Sequence, residues 1–434
     1  MKFNQWTLGL AALGLVSLTS AARADEKPSA VMTALSSTTL SGYVDTSAQW
    51  NLGSGTSHAP AYGFGGPSKA DGFNLNVVDL NLEKDADAAD GWGAGYRVEL
   101  WLGPDADTLG THAAGVGGGQ GDLSVKNAYV DLKAPVGNGI DFKVGVFDTP
   151  IGYEVADSPN NPNFTRSYGF SIEPTTHTGV LASYTVNEML SVSAGVADTF
   201  GPAINGRATD ISGNTRESYK AYMAAATFTA STNWGWIGGS TLSACIINGF
   251  NSGSPAADGI AADQTSYYVG LTMNTPLTAL KVGASFDYAD VRDQGLTGGI
   301  TPGGAPANIG GHHGYANAFD GYVTYQATEK LSTSGRIEYA SFGFPAGIAT
   351  GPTPAGGGAQ PTTGLPTGTA SKILALTGTV QYDLWKNVLT RAEFRWDHAL
   401  DGRDAFGGTT ATGINGPGTQ KDSFELIANV VYKF

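Results

Sequence analysis

The feature that most constrains the fold is a strict alternation of charged and apolar residues. In residues 390–397 the odd positions are all charged, and the even positions are apolar or small. The four charged residues are Arg391, Glu393, Arg395 and Asp397. A β-strand places such alternate residues on one face, whereas a helix would scatter them. The same alternation recurs around Arg97, Lys281 and Arg336, which predicts two-faced strands throughout the chain.

Sixteen segments carry this pattern, and most reach the roughly 9–11 residues that a tilted strand needs to cross a bilayer. The predicted ranges are 38–50, 72–84, 92–102, 122–133, 139–147, 177–186, 189–200, 217–230, 234–249, 264–274, 277–291, 315–327, 331–344, 371–384, 388–400 and 421–434.

The connections between these segments alternate between long and short. The long ones are 51–71, 103–121, 148–176, 201–216, 250–263, 292–314, 345–370 and 401–420. The short ones are 85–91, 134–138, 187–188, 231–233, 275–276, 328–330 and 385–387. Long loops on one side and tight turns on the other are typical of barrels in the bacterial outer membrane. The sequence therefore predicts an all-β fold, a transmembrane antiparallel up-and-down β-barrel of about sixteen strands with long extracellular loops and short periplasmic turns.

The first 24 residues predict a cleaved secretory signal peptide. Lys2 is followed by an apolar stretch over 7–18 and by an Ala-Arg-Ala site at 22–24, so cleavage is expected before Asp25. The rest, 25–434, is predicted to be a single barrel domain exported to the outer membrane.

Removing Lys2 and Arg23 changes the net charge from −14 to −16, which argues against a nucleic-acid partner. The single cysteine excludes internal disulfides and cysteine-rich metal sites.

The last predicted strand carries a row of apolar residues on one face. Its members are Phe424, Leu426, Ala428, Val430, Tyr432 and Phe434. This pattern resembles the C-terminal signal by which the barrel-assembly machinery recognises outer-membrane proteins, so that machinery is a predicted partner. Outer-membrane lipid and lipopolysaccharide are the predicted surroundings. Aromatic residues near strand ends predict interfacial girdles, namely Trp50, Trp92, Trp101, Trp234, Trp236, Trp385, Trp396 and Tyr432.

Several motifs resemble one family of Gram-negative proteins. They lie at 127–132, 145–154, 163–168 and 177–180, and residues 40–45 fit the first strand. They are similar to the putative β-barrel porin-2, OmpL-like family, and the similarity extends over nearly the whole of 25–434. The resemblance implies an outer-membrane channel for small solutes. It implies no catalytic residue, no cofactor and no metal ligand, and the motif searches point to none either.

The third long connection, 148–176, is predicted to fold into the lumen and to narrow the pore, by analogy with sixteen-stranded general porins. Its candidate constriction residues are polar or aromatic: Tyr153, Glu154, Asp157, Asn160, Asn161, Arg166, Tyr168 and Glu173. The alternative is an ordinary extracellular loop.

Charged residues on the predicted strands must face the lumen, because a midplane Arg or Lys on the lipid face costs about 2–4 kcal/mol. The candidates singled out for ion selectivity are Arg97, Glu99, Lys143, Lys281, Asp287, Arg336, Glu338, Arg391, Glu393, Arg395 and Asp397. Further inward candidates are Asp45, Asp79, Glu83, Asp131, Lys133, Asp141, Glu425 and Lys433. A transverse field with Glu154 and Asp157 facing Arg391 and Arg395 is one hypothesis. A solvated wall of mutually neutralising charges is the alternative.

The predicted function is passive diffusion of small hydrophilic solutes and ions through a porin. The alternative is a channel specific for a sugar, phosphate or another nutrient. A barrel enzyme lacks a recognisable Ser/His or Asp/His arrangement, and a purely structural barrel is disfavoured by moderate loops and the lack of an extra domain. A homotrimer is expected by analogy with general porins.

Overall fold

The protein, described here from a computed structural model, forms one closed antiparallel barrel. The structure describes residues 37–53, 55–60, 62–87, 91–112, 122–208, 214–250, 263–292, 313–343, 370–408 and 418–434. The strands are β1 Thr39–Leu52, β2 Gly72–Asp87, β3 Gly93–Leu102, β4 Leu123–Ala134, β5 Ile140–Asp148, β6 Thr176–Asn187, β7 Leu190–Ala197, β8 Ala221–Thr229, β9 Thr241–Phe250, β10 Asp263–Asn274, β11 Leu280–Arg292, β12 His313–Gln326, β13 Leu331–Gly343, β14 Lys372–Trp385, β15 Val388–Ala399 and β16 Asp422–Lys433. The barrel closes where β1 pairs with β16, with Tyr43 opposite Lys433. The predicted fold class and strand number are confirmed. The predicted signal peptide lies outside the described residues.

One group of predicted strand bounds is wrong. The ninth strand starts at Thr241 instead of 234, and the eighth at Ala221 instead of 217. Residues Gly235–Ile237 form a 3-10 turn, and Gly235 and Gly239 have φ angles of +66° and +81°. Only glycine adopts such angles without strain, so the chain turns here and cannot extend as a strand. The turn leaves Trp234 and Trp236 exposed, as expected for a membrane interface.

The two faces of the strands follow the predicted alternation. On β15, Arg391, Glu393, Arg395 and Asp397 are buried inside the barrel, while Phe394 is exposed outside. On β16, the outward face carries the predicted apolar row from Phe424 to Tyr432. Trp101 departs from the pattern: it was expected at the membrane interface, but it is buried inside the barrel beside the Lys126 ammonium. Its odd-numbered position, like those of Arg97 and Glu99, faces the lumen.

Two short helices lie in the long connections, α1 Pro104–Leu109 and α2 Tyr168–Ile172. Further 3-10 turns occur at Pro67–Lys69 and Ser158–Asn160. Within the described ranges, no helix has both the length and the hydropathy needed to span a membrane.

The interior of the barrel has sectors of different chemistry. The wall of β5–β10 presents an apolar cluster that includes Phe147, Leu181 and Ile247. Phe200, from the connection between β7 and β8, packs on this cluster. On the wall of β11–β15, the inward positions near the long connections are alanines, and the inward positions nearer the short turns carry charged residues. These sectors decide where the third long connection can lie.

Candidate functional site

The third long connection, residues 149–175, lies inside the barrel and contacts the wall of β11–β15. The backbone N–H groups of Phe164 and Thr165 donate to the Glu393 carboxylate, at 2.6 and 2.9 Å. The N–H of Tyr168 donates to Glu338 at 2.8 Å. Carboxylates of the wall thus satisfy backbone groups that a loop buried in a barrel would otherwise leave unpaired.

Helix α2 packs where the wall has small side chains. Ser167 caps its N-terminus by accepting a hydrogen bond from the Phe170 N–H, at 3.0 Å. The inward positions beneath it are alanines on three neighbouring strands: Ala289, Ala316, Ala318 and Ala340. Larger side chains at these positions would occupy the space that the Tyr168 ring fills.

Arg336 and Arg395 of the wall bind the segment. The Arg336 guanidinium donates to Glu154 at 2.8 Å, to Glu338 at 2.6 Å and to the carbonyl of Thr165. The Arg395 guanidinium donates to Asp397 at 2.8 Å and to the Arg166 carbonyl at 3.0 Å. All of these charged groups are buried and paired, as buried charges must be.

Two aromatic rings lie against the Arg395 guanidinium. This group lies 4.3 Å from the Tyr62 ring centre and 5.1 Å from that of Tyr168. Tyr62 belongs to the first long connection, and its hydroxyl donates to Glu425 at 2.7 Å. Phe64 of the same connection packs on Phe170. Neither Tyr62 nor Phe64 stands out in the sequence, because an aromatic residue in a polar loop carries no signal of the direction in which its side chain points.

The expected pairing of acids with arginines is wrong in detail. Glu154 pairs with Arg336, and Asp157 pairs with Lys126 at 3.0 Å. Arg391 donates instead to the carbonyl of Ser158, at 2.8 Å. Asp157, the residue before Ser158, instead contacts Tyr43 of β1 and Lys126 of β4.

Arg166 and Asn161 hold the segment in shape. The Arg166 guanidinium donates to the carbonyls of Val155, Ala156 and Phe164. The Asn161 amide bridges the backbone of Val155 in both directions, at 2.7 and 2.9 Å. Both side chains therefore organise the segment itself.

A second ionic cluster lies between the segment and β2–β5. The Lys126 ammonium is 3.0 Å from Glu99, 3.0 Å from Asp157 and 2.9 Å from Asp148. Burial raises the pKa of Asp157, but the Lys126 charge more than offsets this and holds that pKa below its usual range. Oxygens of Asp79, Glu99 and Asp157 lie within 4.8 Å of one another, a spacing that a cation could bridge. Lys126 already supplies a positive charge to two of these three groups.

A third cluster consists of carboxylates alone. Glu173 approaches Asp287 of β11 and Asp320 of β12, and all three are buried. Within the described residues, no cationic side chain lies within 4.0 Å of them, and Asp287 and Asp320 each have an oxygen without a hydrogen-bond partner. Burial first, and then the neighbouring carboxylates, raise the pKa of Glu173 well above its usual range.

Several of the remaining predicted residues face water, whereas Asp45 is buried and accepts hydrogen bonds from the Asn76 and Asn429 amides. The charged candidates on β3–β5 and β11 are Arg97, Lys133, Asp141, Lys143 and Lys281, all partly or fully exposed. In the segment, Val155 and Asn160 are exposed, and Tyr153 stacks on Tyr322 at 4.2 Å. The segment therefore has a dry face towards β11–β15 and a wet face that carries Val155 and Asn160.

The sequence of the chain matches the model of one protein family. The model described as "Putative beta-barrel porin-2, OmpL-like" matches residues 37–434. The chain belongs to this porin family. The resemblance in the motifs of the sequence is thereby confirmed, and the protein is an outer-membrane diffusion channel by family.

Solved porin structures share the fold of this family member. An anion-selective porin from Comamonas acidovorans is 12% identical with a TM-score of 0.57, and the match covers 92% of this chain and 99% of that one. The outer-membrane channel DcaP of Acinetobacter baumannii is 14% identical with a TM-score of 0.53, covering 92% and 97%. OmpF of Salmonella typhi, solved with daunomycin, is 14% identical with a TM-score of 0.51, covering 92% and 97%. At such identities the likeness concerns the fold. No curated protein sequence matches the chain.

Proposed function

We propose that this porin is a passive diffusion channel whose constriction lies between residues 149–175 and the barrel wall. The observation that carries the proposal is the course of this segment across the lumen, with contacts to Glu338, Glu393 and Arg336 of the opposite wall. A segment fixed to the wall by buried ionic contacts narrows the lumen without closing it on its wet side. Permeation then depends on solute size and on the charges that face water.

A general pore is favoured over a nutrient-specific channel by the chemistry of the water-facing side. Charges of both signs alternate there across neighbouring strands, with Glu83 opposite Arg97, Asp131 opposite Lys143 and Lys133 opposite Asp141. A balanced wall of this kind offers no single binding site for one solute. The segment adds the uncharged side chains of Val155 and Asn160.

The proposal also covers the export of the chain and its assembly in the outer membrane. Residues 1–24 are the proposed signal peptide, and recognition by the barrel-assembly machinery is proposed from the apolar face of β16. Packing of the outer face against lipid and lipopolysaccharide is proposed from its exposed apolar band. A homotrimer stays a prediction, to be checked by native mass spectrometry of the detergent-solubilised protein.

Single-channel recording tests the function. Residues 25–434 are refolded, their folding is verified by a heat-dependent shift in electrophoretic mobility, and they are inserted into a planar bilayer with a KCl gradient. Steady conductance steps with weak selectivity support the general pore. Small steps with block by one solute favour the nutrient-specific channel, and a folded barrel without conductance contradicts the proposal.

A further inference from the structure

The two kinds of charge in the lumen differ in their access to water. Arg336 and Arg395 are buried, and carboxylate oxygens lie within 3 Å of each. The side chains of Arg97, Lys133 and Asp141 are 29%, 40% and 48% exposed, but Arg97 lies 2.7 Å from Glu99, and Lys133 lies 3.7 Å from Asp141. A charge that is neutralised at contact distance has little field further away, whereas a water-facing charge acts over the Debye length of about 10 Å at 0.1 M salt. Ions in the lumen therefore respond most strongly to water-facing charges that have no oppositely charged partner at contact distance.

Lys143 stands apart within the water-facing group. It lies on the inward face of β5, and its ammonium is 5.0 Å from the centre of the Tyr129 ring. Among the described residues, no carboxylate oxygen lies within 4.0 Å of this ammonium. The Tyr129 ring holds the charge at the wall through a cation–π contact but does not neutralise it.

The segment contacts this wall through one largely buried ion pair. Asp157 contacts Lys126 of β4, and the exposed residues Val155 and Asn160 lie on either side of it in the chain. Lys126 also contacts Asp148 at the end of β5, whose side chain is 42% exposed. Water thus reaches the segment at Val155 and Asn160 and the wall at Asp148, whereas the Lys126 side chain is 1% exposed.

We propose that solutes pass along the water-facing part of the inner wall on β3–β5, and that Lys143 is a main determinant of ion selectivity in this path. The inference rests on the proposed pore function and assigns its selectivity to the wall opposite the arginines. The positive charge of Lys143 favours anions and is moderated by Asp131, its cross-strand neighbour.

Reversal potentials in a KCl gradient test the assignment, with Lys143→Ala and Lys143→Glu as variants. The ratio of K⁺ to Cl⁻ permeability is expected to rise about twofold or more in Lys143→Glu, and less in Lys143→Ala. The effect should shrink between 0.1 M and 1 M KCl, because the Debye length falls to about 3 Å. Lys330→Glu is the matched control, since it makes the same charge change in an exposed short turn outside the lumen.

The outcomes distinguish a failure of the assignment to Lys143 from a failure of the proposed pore function. A wild-type channel that conducts, with Lys143→Glu and Lys330→Glu both at the wild-type reversal potential, overturns the assignment to Lys143 and leaves the pore function intact. A folded wild-type barrel that does not conduct overturns the pore function and the inference with it.

Discussion

Two sectors of the wall use the same residue types for different purposes. On β13 and β15, Arg336, Glu338, Arg395 and Asp397 are covered by residues 149–175 and are all buried. On β4 and β5, Lys133 and Asp141 face water and lie 3.7 Å apart. The alternation in the sequence is identical in both sectors. Coverage by residues 149–175, together with Tyr62 of the first long connection, decides whether a charged side chain anchors the constriction or faces the solute path.

The largest expected effect on stability comes from removing Arg336, which forms ion pairs in the sector covered by residues 149–175. Arg336→Ala leaves Glu154 and Glu338 buried without their nearest cation, at a cost of roughly 3–5 kcal/mol. We expect a lower thermal unfolding temperature in detergent and new protease cleavage within 149–175. Lys133→Ala is the control in the open sector. Equal stability of the two variants would contradict the contrast between the sectors.

A larger side chain in the wall that packs against α2 should have the next largest effect on stability. Ala318→Phe places a ring where the Tyr168 side chain lies, and overpacking of this kind costs about 1–3 kcal/mol. The segment is then expected to leave the wall, which a changed single-channel conductance would report. Ala428→Phe, on the outer face of β16, is the matched control. A conductance change in the control but not in Ala318→Phe would oppose this account.

The pH dependence of the segment should follow from Glu173. Its raised pKa means that its contribution to stability is fully present below the ordinary value near 4.3 and is lost as the pH rises through the folded value. The unfolding temperature of wild type minus that of Glu173→Gln should therefore fall as the pH rises above the ordinary glutamate value of about 4.3.

Asp157→Asn is the opposite case for the same measurement. The lowered pKa of Asp157 gives a contribution that is present above its ordinary value and is lost as the pH falls through the folded value. Wild type should lose its advantage over Asp157→Asn on acidification. The same trend with pH in both variants would show that the two carboxylates do not differ as described.

The smallest effect on stability is expected in the open sector. Asp141→Asn removes one partner of an exposed ion pair, and such pairs contribute about 0–1 kcal/mol. The unfolding temperature should stay near that of wild type, while the reversal potential moves towards anion selectivity. A marked loss of stability would mean that this pair also anchors structure.

The sequence predicted the barrel well because strand alternation is a local pattern with a strong physical cause. Each inward Arg391 or outward Phe424 follows from the cost of charge in lipid. The exceptions, such as the glycine turn at 235–239, involve residues whose backbone freedom overrides apolar alternation.

The contacts inside the lumen could not be predicted in the same way. Which acid meets which arginine depends on the course of residues 149–175, and a one-residue shift would exchange Asp157 and Ser158 at Arg391. The contribution of Tyr62 depends on contacts more than 300 residues apart in the chain, such as that with Glu425. Patterns within a window of sequence carry no information on such pairings.

Cysteine accessibility in single channels tests the central claim most directly. Val155→Cys lies on the wet face of the segment, Ser167→Cys lies on the dry face, and the native Cys245 is buried. A membrane-impermeant, charged thiol reagent should reduce the current stepwise in Val155→Cys and leave wild type and Ser167→Cys unchanged. Reaction and block at Ser167→Cys, with none at Val155→Cys, would contradict the claim that residues 149–175 form the constriction with their dry face on β11–β15.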